Sequence, residues 1–165
     1  MKCAGFLVVE VALVLALILV IITLATPQFL FLKRQMVHSE IQKLIAEFFY
    51  HRAYAMATHQ DLMLTVDPGR GTYGTQERML SLASGVQFGF LPQLLGPPSQ
   101  PTRLIDKAVS FLHNRINFYA DGTMSSGTIY LLDSQNRRCY AVTIPAGQAP
   151  FIRSYEYQDR WVLIS

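Results

Sequence analysis

Few side chains in this 165-residue sequence are spaced for chemistry, and the one that demands an explanation is a carboxylate, Glu10. It is the only charged side chain in the run FLVVEVALVLALILVIITLAT, Phe6–Thr26. An acidic group in hydrocarbon costs on the order of 3 kcal/mol, so a buried Glu10 calls for a cationic partner. A position this close to the start of the run can also snorkel towards water. Phe6 lies four residues earlier, on the same face of a helix.

The remaining candidates are weaker. The four histidines, His38, His51, His59 and His113, include no pair at i,i+4, and no Cys/His cluster has zinc spacing, so no metal site is expected. Asp121 and Asp133 flank a Gly/Ser turn but lack the alternating oxygen ligands of a calcium loop; an Asx-type turn is the expected use. Ser125 and Ser126 have no G-x-S-x-G elbow. DPGRGTYG has glycines but no Walker lysine. Arg137, Arg138, Arg153 and Arg160 stand near Tyr140, Tyr155, Tyr157 and Trp161, a combination that suits phosphates and bases but equally an ordinary tyrosine-rich sheet with solvated arginines. The formal charge of +3 is too mild to predict nucleic-acid binding by itself. Neither a catalytic residue nor a cofactor is expected, and Cys3 and Cys139 lie too far apart in the chain to suggest a disulfide.

The elements around these residues follow from periodicity. As a helix the run Phe6–Thr26 spans roughly 30 Å, the thickness of a bilayer core, and is too long for a secretory signal peptide. Pro27 removes one helical hydrogen bond and predicts a kink. The helical pattern resumes beyond it: Ile41, Leu44, Ile45, Phe48, Phe49, Ala55 and Met56 share one stripe, with Lys43, Glu47 and Tyr54 opposite and Arg52 oddly placed inside the stripe. Past Gln60 the pattern changes to short strands: LMLTV, VQFGF, INFYA, TIYLL, CYAVTI, FIRSYEY and WVLI, divided by turn residues. LPQLLGPPSQPTR reads as a loop, and RLIDKAVSFLHNR fits either a helix or a strand. The fold class expected is therefore α+β, a long N-terminal helix with a membrane-spanning first half, packed against an antiparallel β-sheet head.

Two segments resemble a known family. GFLVVE before an apolar helix resembles the cleavage signal of type IV prepilins and type II secretion pseudopilins, at Gly5, Phe6 and Glu10, with Pro27 a fourth match. Leu7 and Ala4 depart from the usual threonine and basic residue. INFYADGTMSSGTIYL is similar to a segment of the GspH/FimT group of minor pseudopilins and pilins, at Phe118, Gly122, Gly127, Thr128 and Leu131. HRAYA is similar to that group's helix segment at Arg52 and Ala55.

The resemblance implies a leader at 1–5 removed by prepilin peptidase, N-methylation of Phe6, a transmembrane helix at 6–26, its continuation at 27–60 and a β-rich head at 61–165. It implies that Glu10 meets the Phe6 amine of a neighbouring subunit during filament assembly. The function implied is that of a minor pseudopilin, a structural subunit and not an enzyme. Its partners would be other pilins or pseudopilins, prepilin peptidase, an inner-membrane assembly platform and membrane lipid. Its location would be the bacterial inner membrane, single-pass, with the N-terminus cytoplasmic and the head periplasmic. A minor type IV pilin for adhesion or DNA uptake, with nucleic acid as a partner of the arginine patch, is one alternative. A membrane-anchored binding protein unrelated to pili is another.

Overall fold

The computed structural model describes residues 4–97, 101–133, 138–146 and 151–164, and within the first element it describes side chains at 8–23 and 35–58. That element, helix α1, runs Ala4–Thr58. It closes on a left-handed residue, His59, with φ 54°, and the Gln60 N–H bonds the Ala55 carbonyl at 3.2 Å. This is the Schellman arrangement that satisfies a terminal helix carbonyl, here with histidine where glycine is usual.

The chain divides into two units, Met1–Gln35 and Met36–Ser165. In the first, Val8, Leu13, Ile18 and Ile22 are 68, 60, 46 and 55 % exposed, and the apolar residues between them are similarly open. In the second, Val37, Ile41, Leu44, Phe48 and Ala55 are buried. Their spacings of three, four and seven lay one stripe of the helix onto the sheets.

Among the described residues nine strands follow: β1 (Leu62–Asp67), β2 (Thr72–Gly74), β3 (Met79–Ser81), β4 (Val86–Phe88), β5 (Arg115–Phe118), β6 (Gly127–Asp133), β7 (Cys139–Ile144), β8 (Arg153–Gln158) and β9 (Arg160–Leu163). They form two sheets, ordered β3-β2-β1-β5 and β4-β6-β7-β8-β9, with every pairing antiparallel. The helix stripe packs with Leu64, Val66 and Ile116 of the first sheet and with Ile129, Leu131 and Val142 of the second in one core.

Period-two alternation sends the other side chains of β6 and β7 to the opposite face. There Tyr130, Leu132, Cys139 and Ala141 form a second core with Leu94 of the proline-rich segment and Ile105 just beyond it. The segment read as a loop is thus the cover of the second face. It is pinned by an antiparallel bridge between Leu95 and Leu104, and by Gly89 and Ala108, which bond the Tyr130 backbone at 3.0 and 2.8 Å. RLIDKAVSFLHNR resolves to neither helix nor strand. It makes isolated bridges at Leu104 and Val109, then a 3-10 turn at Leu112–Asn114.

Two expectations are corrected. The head is built from two antiparallel sheets, not one, because β1 takes β2 and β5 as its neighbours while β6 takes β4 and β7, which leaves no strand shared between the two sets. The membrane-spanning first half also falls: among the described residues no helix is long and apolar enough to cross a membrane. The transmembrane and inner-membrane assignment, single-pass with a cytoplasmic N-terminus and periplasmic head, is corrected with it.

Candidate functional site

Glu10 lies on an exposed part of α1, between Val9 and Val11, which are 66 and 51 % exposed. Among the described residues no hydrogen bond or ion pair holds its carboxylate. Gly5, Phe6 and Pro27 lie within α1, but their side chains fall outside those described, and so does any account of the kink expected at Pro27. The Thr23 hydroxyl donates to the Val20 carbonyl at 2.9 Å.

A polar seam that the helical pattern assigns to solvent lies under the other half of α1. Glu40, Lys43, Glu47 and His51 follow one another at helical spacing, and β2 and β3 bring Tyr73 and Arg78 to them. Glu47 is paired with Arg78 Nη2 at 3.4 Å, and His51 Nε2 lies 3.6 Å from its other oxygen. Lys43 Nζ stands 3.5 Å from Glu40 Oε1. Among the described residues neither the buried Glu40 Oε2 nor the buried Tyr73 hydroxyl has a hydrogen-bond partner. Burial, then the charges of Glu40 and Glu47, raise the Tyr73 phenol well above its ordinary range. Burial also lowers the His51 pKa, against the pull of Glu47 and with the push of Arg78. The strand signal that would have found this seam is only three residues long in β2 and in β3.

The residues that carry the GspH/FimT resemblance hold the head together. Phe118 is fully buried, with ring centroids 6.1 Å from Phe48 and 5.8 Å from His51. Gly122 sits at φ +82°, and a Cβ there would come within 2.8 Å of Met56 Sδ. Its carbonyl accepts a 2.7 Å hydrogen bond from Arg52 Nε. That contact explains an arginine inside an apolar stripe: it satisfies a buried turn carbonyl between β5 and β6. A Cβ on Gly127 would strike the Phe111 ring at 2.6 Å. Thr128 and Thr143 share a buried hydroxyl contact of 3.1 Å, and Leu131 is fully buried.

The arginine patch is not assembled as one surface. Arg137 lies outside the described residues. Arg138 Nη1 donates to Glu156 Oε1 at 3.0 Å, and the Tyr140 hydroxyl lies 3.3 Å from the same oxygen. Burial and then the Glu156 carboxylate push the Tyr140 phenol up to about 12. The Arg153 guanidinium stacks on Phe151, 4.7 Å from its centroid. Arg153 faces Thr143 while Arg160 faces Gln158, so the two stand at opposite ends of β8, roughly 17 Å apart along the strand.

Other candidates are structural. Asp121 Oδ1 accepts from the Thr123 hydroxyl at 2.6 Å and the Thr123 N–H at 2.8 Å, an Asx turn that lowers the Asp121 pKa. Asp67 does the same for the N–H groups of Gly69 and Arg70. Cys139 is buried in the second core, and burial pushes its thiol up to about 12, which makes it unreactive. Among the described residues no group of histidine, cysteine and acidic side chains is placed to hold a metal ion. Compared with known proteins, the chain matches no family model, no curated protein and no solved structure.

Proposed function

We propose that this chain is a structural subunit of a pilin-type filament, in the manner of a minor pseudopilin. One observation carries the reading: twelve large apolar side chains between Val8 and Ile22 are 46–68 % exposed. Burying such side chains is worth about 1.5–3 kcal/mol each. A helix apolar on every side is stable only when other apolar surface surrounds it. Helices of neighbouring subunits supply that surface, and the cost of each chain's carboxylate then falls on Glu10.

In a staggered bundle the Glu10 carboxylate meets an amine, and the Phe6 amine freed by cleavage after Gly5 is the group the resemblance supplies. The pair sets register as a buried polar group does in a coiled coil. The contacts of the motif residues in the head support the same reading, since Arg52 and Met56 of α1 meet Gly122 in the β5–β6 turn, and Gly127 leaves room for Phe111 against β6. A nucleic-acid-binding role is less favoured, because Arg138 is paired and Arg153 and Arg160 are far apart.

The test is co-assembly. Glu10→Leu should leave the head folded and exclude the chain from filaments formed by partner pilins, as seen in sheared filament fractions. Normal incorporation of Glu10→Leu would refute the proposed role of the carboxylate.

A further inference from the structure

An open groove of about 620 Å³ lies beside the β8–β9 turn, where the proline-rich segment meets the end of the second sheet. Its floor is aromatic. Trp161 and Tyr157 face each other across β8 and β9 with ring centroids 5.4 Å apart and planes at 66°, and both are half-buried. Trp161 is fixed from behind: its indole N–H donates to the Leu95 carbonyl at 2.8 Å, and Tyr130 packs 6.3 Å away. The rim carries three exposed planar polar side chains, Gln93, Asp159 and Arg160.

Two of these rim residues hold an uncommon backbone. Gln93 has φ 61° in the turn closed by the Leu94 N–H to the Leu91 carbonyl, and Asp159 has φ 60° in the turn between the paired Gln158 and Arg160, so tight turns fix both side chains at the rim. Each such conformation costs on the order of 1 kcal/mol or more. The volume lies within the usual range for small-ligand sites.

We propose that this groove binds a neutral glycan, one or two sugar rings at a time. The argument is one of matching chemistry. A sugar ring has an apolar C–H face, which suits a rigid aromatic floor, and a rim of hydroxyls. A carboxylate, a carboxamide and a guanidinium offer paired acceptors and donors to adjacent hydroxyls or an acetamido group. One Asp and one Arg leave the rim electrically balanced, whereas a nucleic-acid groove is strongly positive. An extended peptide is the other neutral ligand an aromatic groove takes. Here the indole donor is already engaged by Leu95. The inference stands apart from the filament reading and does not depend on it.

The chain contains a single tryptophan, so its fluorescence reports on this groove alone. The full chain, kept in a detergent without a sugar headgroup, is titrated with a β-1,4-linked N-acetylglucosamine trimer and with maltotriose. Parallel titrations use a proline-rich peptide and a single-stranded oligonucleotide. A saturable change with either trisaccharide, weakened about tenfold by Gln93→Ala or Asp159→Asn, is the expected result. Both positions are exposed, and asparagine tolerates positive φ, so native circular dichroism is expected and checks that each variant is folded. The proposal is overturned if neither sugar gives a saturable change. It is equally overturned if only the peptide or the oligonucleotide does, or if the sugar response survives both substitutions unaltered.

Discussion

Within α1, the described large apolar side chains of residues 8–22 are at least 46 % exposed, whereas Val37, Ile41, Leu44, Phe48 and Ala55 are at most 2 % exposed. Both stretches are apolar and helical, yet they differ in how their polar groups are arranged. Residues 37–55 alternate a buried stripe with a seam of Glu40, Lys43, Glu47 and His51, which pair along the helix and with Arg78 just before β3. Residues 8–22 have no such division, and their one carboxylate has no partner among the described residues. A stripe tells a helix which face to bury against its own domain; an apolar surface on all sides calls for cover from elsewhere.

The buried half of that comparison is broken most severely at Phe48. Phe48→Ala should destabilise the head by about 3–5 kcal/mol, read as a fall in the denaturation midpoint with unchanged dependence on denaturant. Arg52→Met keeps the aliphatic bulk but strands the Gly122 carbonyl, at a cost of about 2 kcal/mol; a midpoint equal to wild type would remove this tie between α1 and the β5–β6 turn. Tyr73→Phe should act in the opposite direction. Its hydroxyl is buried without a partner among the described residues, so its loss should leave stability unchanged or raise it by about 1 kcal/mol, measured by thermal melting.

The smallest effect concerns pH. His51 has a pKa lowered from 6.5 in the fold by burial, which outweighs the opposing pull of Glu47 and is aided by Arg78. The unfolded chain therefore binds its proton more readily, and stability rises with pH across that interval. The contribution is complete above about pH 6.5 and is lost as pH falls through the folded-state pKa. His51→Gln should flatten that acid-side decline in a series of melts; an unchanged slope would assign the decline to other groups.

Much of the head was legible because its residues obey one period at a time. Ile41, Leu44, Phe48 and Ala55 follow the helical stripe and are buried, and CYAVTI is β7 from end to end. Phe49 and Met56, assigned to the same stripe, are 42 and 43 % exposed because they stand at its edge. The seam was hidden for a different reason. Glu47 reads as solvated until β2 and β3 are known to lie against it, and three-residue strands barely register in a sequence. The second core is hidden by chemistry: prolines at 92, 97, 98 and 101 signal a loop, yet Leu94 within that segment and Ile105 just after it are buried against β6 and β7. The glycan groove joins residues 93–95 to 157–161, and no local pattern connects them. At the N-terminus, Glu10 was conspicuous in the sequence as a charge among apolar residues, but whether it meets an amine depends on a second molecule.

The most direct measurement is therefore the identity of the first residue in the mature chain. Expressed with a prepilin peptidase, the protein should yield Phe6 as its N-terminal residue by mass spectrometry, with one added methyl group. An intact Met1, or cleavage at any other bond, would mean that no Phe6 amine is released to meet Glu10, and the filament account would fail.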